Sequence, residues 1–172
     1  SAQTASTDED TAVDITLEST DPDTGDTITY SIASDVSNGS TSLSGSTVTY
    51  TPTANWNGTD TFTYKANDGT VDGNTATVTV TVAAVNDTPT TSDVSASTNE
   101  DTAKDITLDG SDVDSGDTLT YSIVSDASNG STSLSGSTVT YTPDTNWNGT
   151  DTFTYKVNDG TVDSNTSTVT VT

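Results

Sequence analysis

Residues 60–83 read DTFTYKANDGTVDGNTATVTVTVA. This stretch contains two runs in which apolar and polar residues alternate strictly, one on each side of the turn-forming NDG. Strict alternation puts one set of side chains on each face of a β-strand. We therefore predict two strands, each with a buried face and a threonine-rich face. The predicted buried residues are Phe62, Tyr64 and Ala66 before the turn, and Ala76, Val78, Val80 and Val82 after it.

The same alternation recurs in three more runs of the first half of the chain, TAVDITL (11–17), TITYSIA (27–33) and STVTYTP (46–52). Asn38-Gly39 and Ser44-Gly45 lie between such runs, and Asn-Gly is the strongest short-range signal for a β-hairpin. No segment shows a helical period. About seven short strands in roughly 90 residues predict an all-β fold, an antiparallel β-sandwich of the immunoglobulin type.

The sequence contains two copies of this module. A shift of 91 residues aligns 9–81 with 100–172 without a gap, and 14 of the 73 aligned positions differ. A period of this length fits a whole small domain and is too long for a solenoid unit. The stretch AAVNDTPTT (83–91) has no second copy, and we interpret it as the connector. We predict one domain over 1–88 and another over 89–172, both taken from a longer array.

The chain is strongly acidic. Its 172 residues include 26 aspartates and glutamates but three lysines, no arginine and no histidine, for a net charge of −23. Such a charge repels nucleic acid and anionic lipid and attracts divalent cations. No run of about 18 apolar residues is present, so membrane insertion is not expected. The absence of cysteine excludes disulfides and thiolate metal sites, and it fits an extracellular location.

Oxygen-bearing side chains cluster in three places in each copy. Aspartates at i and i+2 in an irregular loop can direct both carboxylates to one ion. Hard oxygen donors without imidazole or thiolate suit calcium. The alternative is that these groups are solvated surface acids of a salt-adapted protein. The three places are EDTA (9–12 and 100–103), the loops DPDTGD (21–26) and DVDSGD (112–117), and NDG (67–69 and 158–160).

The order of these motifs resembles that of a cadherin repeat. NEDTAKDITLDGSDVDSGDTLTYSI (99–123) is similar to the opening half of such a repeat, and YKVNDG (155–160) to its penultimate strand. TVTVTVAAVNDTP (77–89) is similar to its last strand and linker. YTPTANWNGTDTFTYKANDG (50–69) is typical of the cadherin-like tandem modules of large bacterial surface and secreted proteins. The resemblance covers both copies nearly from end to end.

The resemblance implies that calcium binds at the junction of consecutive modules and stiffens the array. Ala84 and Thr88 replace linker ligands of the family, and Asp60 is a weak substitute for its missing acidic motif, so we expect one or two ions per junction. The implied junction ligands are Glu9, Asn86 through its carbonyl, Asp87, Asp112, Asp114 and Asp159. Half-sites toward neighbouring modules would use Asp21, Asp23, Asp68 and Glu100. Asp26 and Asp117 are weaker metal candidates.

Other residues invite a functional reading but have a simpler structural one. Trp56 and Trp147 could stack on a sugar, but an aromatic residue before an FTY strand more often closes the end of a sandwich core. Lys65 and Lys156 could form an isopeptide bond with an asparagine, but the alternation turns them outward. No histidine is available to activate a serine or threonine hydroxyl. Catalysis is therefore not expected.

These observations predict a non-catalytic structural module of an extracellular bacterial adhesin, stalk or filament. Its cofactor would be Ca²⁺, and its partners would be neighbouring repeats, with other copies in a fibre or a surface ligand as further candidates. Two alternatives stay open at this point. One is a module that binds a carbohydrate or a protein, and the other is an accessory domain of a secreted enzyme.

Overall fold

The computed structural model describes residues 2–23 and 25–172. The chain divides into two compact units, Ser1–Val85 (unit 1) and Asn86–Thr172 (unit 2). The boundary lies between Val85 and Asn86, whereas the sequence pattern suggested one after residue 88. Most of the connector therefore belongs to unit 2. Among the described residues, no helix is long and apolar enough to cross a membrane.

Unit 1 is a sandwich of two β-sheets, as the alternating pattern predicts. One sheet has the order β1-β7-β6-β3 and the other the order β2-β5-β4. The strands are β1 (Gln3–Asp8), β2 (Val13–Thr16), β3 (Thr29–Ser34), β4 (Gly39–Ser44), β5 (Thr47–Pro52), β6 (Gly58–Asn67) and β7 (Ala76–Ala83).

The core of unit 1 consists of residues that the alternation selects, although Ala66, which was also predicted to be buried, is half-buried. Phe62, Val78 and Val80 are fully buried, and Tyr64 is 1 % exposed. Threonines occupy the intervening positions of β6 and β7, where β-branched side chains suit a half-exposed pleated surface. The buried cluster comprises Ile15, Leu17, Val48, Tyr50, Phe62, Tyr64, Ala76, Val78, Val80 and Val82.

Unit 2 repeats this architecture. Its larger sheet has the order β12-β15-β16-β9, its smaller sheet the order β10-β14-β13, and a short additional pair joins β11 to β8. The strands are β8 (Thr90–Thr91), β9 (Val94–Ala96), β10 (Lys104–Thr107), β11 (Gly110–Ser111), β12 (Thr120–Ser125), β13 (Gly130–Ser135), β14 (Thr138–Pro143), β15 (Asp151–Asn158) and β16 (Ser167–Val171).

Two features of the strand pairing were not predicted. A strand near the start of each unit runs parallel to the last strand of that unit, so that β1 pairs with β7 and β9 pairs with β16. Parallel neighbours need a long connection, and here the whole unit provides it. The prediction of a hairpin at Asn38-Gly39 is wrong, because β3 and β4 belong to different sheets. The predicted hairpin at Ser44-Gly45 forms between β4 and β5.

A buried carboxylate explains why the chain crosses between sheets at Asn38. Asp60 is 4 % exposed, and its two oxygens accept hydrogen bonds from the backbone N–H groups of Ser37 and Asn38, at 3.1 and 2.8 Å. Its Oδ1 also accepts the N–H of Thr61 at 2.9 Å. The turn after β3 is thus held by a carboxylate on β6 and does not close a hairpin.

The corresponding residue of unit 2, Asp151, makes the same contacts. Its carboxylate accepts the N–H groups of Ser128, Asn129 and Thr152 and the hydroxyl of Tyr141, at 2.8 to 3.1 Å. Burial opposes ionisation of Asp151, but the backbone and tyrosine donors outweigh it, so its pKa lies below the usual value. Burial and the bond to this carboxylate raise the pKa of Tyr141 to about 12.

Trp56 and Lys65 have the structural positions that the sequence favoured. Trp56 packs against the core cluster of unit 1. A Cβ at Gly58 would come within 3.0 Å of the Trp56 ring, and the φ of Gly58 is 143°, so glycine is required there. Lys65 forms an ion pair with Asp72 at 3.6 Å, with the lysine side chain 38 % exposed.

The contacts of Asp151 predict a large loss of stability on Asp151→Asn. An amide would turn an NH₂ group toward backbone donors that need an acceptor, at a cost of about 2–3 kcal/mol. Urea unfolding in a chelator measures this loss without any contribution from metal. Asp105→Asn is the matched control, because Asp105 is exposed and accepts one hydrogen bond from Thr140; we expect a change within about 0.5 kcal/mol. Equal losses would contradict the role given to Asp151.

The lowered pKa of Asp151 also predicts how stability depends on pH. The unfolded-state pKa of aspartate is about 3.9, and a lower folded-state value favours the folded state above that pH. The contribution of Asp151 is therefore complete at neutral pH and disappears as the pH falls through the folded-state pKa. Urea titrations at successive pH values should show the gap in unfolding free energy between wild type and Asp151→Asn narrowing below about pH 4. A gap that stays constant into strong acid would overturn this explanation.

Candidate metal centre

Three carboxylates of unit 2 converge at one end of the sandwich. Asp112 and Asp117 belong to the loop between β11 and β12, and Asp159 follows β15. Each places one oxygen within 4.8 Å of the other two. We call these three residues the unit-2 acidic cluster. Their spacing allows a single oxygen-coordinated ion to contact all three.

The sequence of the DVDSGD loop produces this convergence. The N–H of Asp114 donates to Oδ1 of Asp112 at 3.0 Å, which closes a tight turn. Gly116 has a φ of 114°, a conformation that side chains disfavour, and it brings the chain back toward Asp112. Asp117, the residue after this bend, thereby joins the cluster.

The connector residues at the start of unit 2 cover the cluster. Asn86 Nδ2 donates to Oδ2 of Asp159 at 2.9 Å, and the N–H of Asp87 donates to Oδ2 of Asp114 at 2.7 Å. Asn86 thus presents its amide nitrogen, and not its side-chain oxygen, to the cluster. Asp114 therefore has one oxygen bonded to the connector, and its negative charge acts on Asp117. The ligand roles of Asp87 and Asp114 stay predictions.

One oxygen of the cluster lacks any partner. Asp112 Oδ2 is buried, and among the described residues it is the one buried side-chain oxygen or nitrogen that makes no hydrogen bond. A buried carboxylate oxygen without a donor or a cation is costly, since it has lost its hydration without compensation. The donor set of the cluster consists of hard oxygens, which fits calcium better than a transition metal.

The charges of the cluster oppose one another. Partial desolvation, followed by the negative charges of Asp114, Asp112 and Asp159, raises the pKa of Asp117. Asp159 behaves differently, because the N–H of Val162 and the amide of Asn86 outweigh its desolvation and lower its pKa. The cluster therefore carries negative charge at neutral pH, and a cation would relieve the repulsion that Asp117 experiences.

Unit 1 contains a second acidic cluster, but it is more open. Asp21, Asp23 and Asp26 place one oxygen each within 4.8 Å of one another, and both Asp23 and Asp26 are exposed. The N–H of Asp23 donates to Oδ1 of Asp21 at 2.8 Å. Asp68 was predicted here, but its oxygen is not among the three converging ones. Its Oδ1 accepts the N–H groups of Thr70 and Val71, which lower its pKa.

The remaining predicted ligands lie outside both clusters. Glu9 belongs to unit 1, is 4 % exposed, and accepts the N–H of Val85 through Oε1 at 2.6 Å. Glu100 is exposed, and it lines a small cleft of unit 2 together with Trp147. Asp60 has its oxygens bonded to the backbone of its own unit, and these bonds give it a structural role. The assignments of Glu9 and Glu100 to metal stay predictions.

Asp117 is a weak candidate from the sequence, yet its carboxylate is one of the three that converge. The signal was present in the sequence, since the glycine before it permits the positive φ that returns the chain to Asp112.

Comparison with known proteins agrees with the repeat pattern. A family model described as "Bacterial Ig domain" matches residues 1–81 and 86–172. No curated protein has a significant match. The prediction of two tandem immunoglobulin-like, cadherin-like modules is confirmed, both by this match and by the structural neighbours.

Solved cadherin fragments share the fold. Human CDH23 EC21-23 has a TM-score of 0.68 at 18 % identity, covering 99 % of this chain and 71 % of that chain. Mouse Cadherin-23 EC22-24 has a TM-score of 0.63 at 23 % identity, covering 99 % and 61 %. Human mucin-like protocadherin EC1-2 has a TM-score of 0.56 at 18 % identity, covering 98 % and 94 %. At these identities the similarity shows the fold alone.

The chain spans only part of the length of several proteins that it matches. It spans 27 % of an endo-fucoidan hydrolase from glycoside hydrolase family 107, with a TM-score of 0.38 and 20 % identity over 99 % of this chain. A TM-score this low does not support a functional comparison.

Proposed function

The chain belongs to the bacterial Ig domain family, in two tandem copies, and from this premise we propose that it is a non-catalytic structural segment of an extracellular adhesin, stalk or filament. In this proposal calcium binds the unit-2 acidic cluster and fixes the connector to unit 2. The observation that carries the proposal is the convergence of three carboxylates around a buried oxygen of Asp112 that has no partner.

Electrostatics supports a bound cation. Two carboxylates about 4 Å apart repel by about 1 kcal/mol in water and about 4 kcal/mol near a protein surface. The chain has three lysines in all, and Lys156 contacts Asp163. A divalent ion would convert the repulsion at the cluster into attraction and would give Asp112 Oδ2 a partner. Unit 1, whose acidic cluster is more exposed, should bind calcium more weakly than unit 2.

The contacts of the connector suggest how calcium would stiffen the array. On the side of unit 1, Val85 is held by Glu9. On the side of unit 2, the next two residues are held by Asp159 and Asp114. Calcium at Asp112, Asp117 and Asp159 would tighten the second set of contacts.

A structural role also agrees with the residues that the chain lacks. It contains neither histidine nor cysteine, so its many hydroxyls have no imidazole base and no thiolate nucleophile is possible. The acidic clusters lie in turns at the ends of sandwiches.

The family match in two tandem copies suggests the partners and the location. We propose neighbouring repeats of the same array as the main partners and the outside of a bacterial cell as the location.

Calcium titration by calorimetry tests the proposal. We expect binding to the wild-type chain, and Asp112→Asn should weaken the tighter site by about tenfold or more, because an amide cannot replace the charge of the ligand oxygen. Asp105→Asn removes the same charge from an exposed position of the same unit and should leave the affinity nearly unchanged. No heat of binding, or equal weakening by the two variants, would contradict the proposed site.

Removal of calcium should lower the thermal stability of unit 2. At a free calcium concentration 100 times the Kd, binding adds about 2.7 kcal/mol to the free energy of unfolding. The direction in which Asp117→Asn shifts the melting temperature tests whether calcium binds at Asp117. In chelator it should raise the melting temperature, because it removes repulsion, and in excess calcium it should lower it relative to wild type. The same sign under both conditions would argue against a metal bound at Asp117.

A further inference from the structure

A groove at the end of unit 2 is filled by the first residues of that unit. Thr90 and Thr91 form β8 and pair antiparallel with Gly110 and Ser111 of β11. Pro89 is buried, and Thr91 is 8 % exposed. The segment Asn86–Thr91 is therefore docked in this groove as part of unit 2, and its last two residues form a short strand.

Asn165 holds this docked segment by its backbone. Its Oδ1 accepts the N–H of Thr91 at 3.0 Å, and its Nδ2 donates to the carbonyl of Thr91 at 2.9 Å. One amide side chain thus bonds both peptide groups of Thr91, as a neighbouring strand would. The hydroxyl of Thr91 is within 2.8 Å of the Ser167 hydroxyl. Asn86 and Asp87, at the other end of the segment, bond to Asp159 and Asp114.

Unit 1 has the corresponding groove, and none of its described residues, 2–23 and 25–85, fills it. A cleft of about 170 Å³ lies where the 91-residue shift places the docked segment of unit 2. In the described part of unit 1, the backbone of Ser19 and Thr20, which corresponds to β11, belongs to neither sheet. The lining of the cleft includes Ser19, Thr20, Asp21, Ala66, Asp68 and Val71.

The groups that hold the docked segment in unit 2 are present in unit 1. Asn74 corresponds to Asn165, Asp68 to Asp159 and Asp23 to Asp114. Asp68 also repeats the local bonding of Asp159, because Oδ1 of each accepts two backbone N–H groups of the turn that follows. The second oxygen of Asp159, Oδ2, accepts the hydrogen bond from the side-chain amide of Asn86.

The two grooves differ where the last residue of the segment docks. Ser167, which pairs with the Thr91 hydroxyl, is replaced in unit 1 by Ala76, and Val157 is replaced by Ala66. The unit-1 groove therefore offers no hydroxyl partner there and has more room. A valine, which has the shape of threonine without its hydroxyl, suits this groove better, because a buried hydroxyl without a partner is penalised.

We propose that the groove of unit 1 is a docking site for an extended segment of the type Asn-Asp-Thr-Pro-Thr-Val, supplied by the connector of another repeat of this kind. Ser19 and Thr20 pair with its last two residues as a short strand. Asn74 clamps both peptide groups of the valine, Asp68 accepts the asparagine amide, and Asp23 accepts the N–H of the residue after it. The docked segment of unit 2 supports this site, and the site requires no metal.

NMR titration of the whole chain with the peptide acetyl-NDTPTV-amide tests this site, in excess calcium chloride to limit repulsion by the peptide aspartate. A hexapeptide that adds a two-residue strand should bind weakly, with a Kd on the order of 1 mM. We expect shifts at Ser19, Thr20 and Asn74. Unit 2 is the internal control, since its own segment fills the groove. Shifts of equal size at Ser111 and Asn165, or no shifts at saturating peptide, would overturn the proposal.

Two variants separate docking from non-specific contact. Asn74→Ala removes the clamp from an exposed position and should weaken peptide binding by about tenfold, because two hydrogen bonds are lost. Asn57→Ala, at an exposed residue outside the groove, should leave the affinity unchanged. The peptide NDTPTT should bind several-fold more weakly than NDTPTV. Unchanged affinity in Asn74→Ala, or a preference for the threonine peptide, would contradict the assigned contacts.

Discussion

The mutual repulsion of carboxylates that few basic groups can neutralise is the constraint on which this molecule depends. With 26 acidic residues and three lysines, the chain must satisfy its negative charges with something other than ion pairs. Within the units it uses backbone N–H groups. Asp60 and Asp151 each collect such donors at the turn between the two sheets and thereby set the crossing of the chain.

The contrast between Asp151 and Asp112 is the basis of the proposed metal site. Both have buried carboxylate oxygens, but every oxygen of Asp151 has donors, whereas Asp112 Oδ2 has none. A cation at Asp112, as proposed, would supply the partner that this oxygen lacks. The connector residues bond around this place, so an ion there would act on the segment that links one repeat to the next.

The sequence predicted the sandwich well, because alternation is a local property that the strands express directly; Phe62, Val78 and Val80 are buried as expected. It failed at Asn38-Gly39, since the competing acceptor, Asp60, is 22 residues away in the chain. It grouped Asp112 and Asp159 correctly through the resemblance to cadherins. It underrated Asp117, whose position depends on the φ of Gly116, and it could not show which carboxylate oxygen lacks a donor.

The most direct test of the account is a crystal structure of the chain grown with calcium, with anomalous scattering used to locate the ion. The account predicts a peak at the unit-2 acidic cluster, with Asp112 Oδ2 at about 2.3–2.6 Å, the usual calcium–oxygen distance. Asp117 and Asp159 should supply further ligands. A map without a peak at Asp112, or with calcium at Asp21, Asp23 and Asp26 alone, would contradict the account.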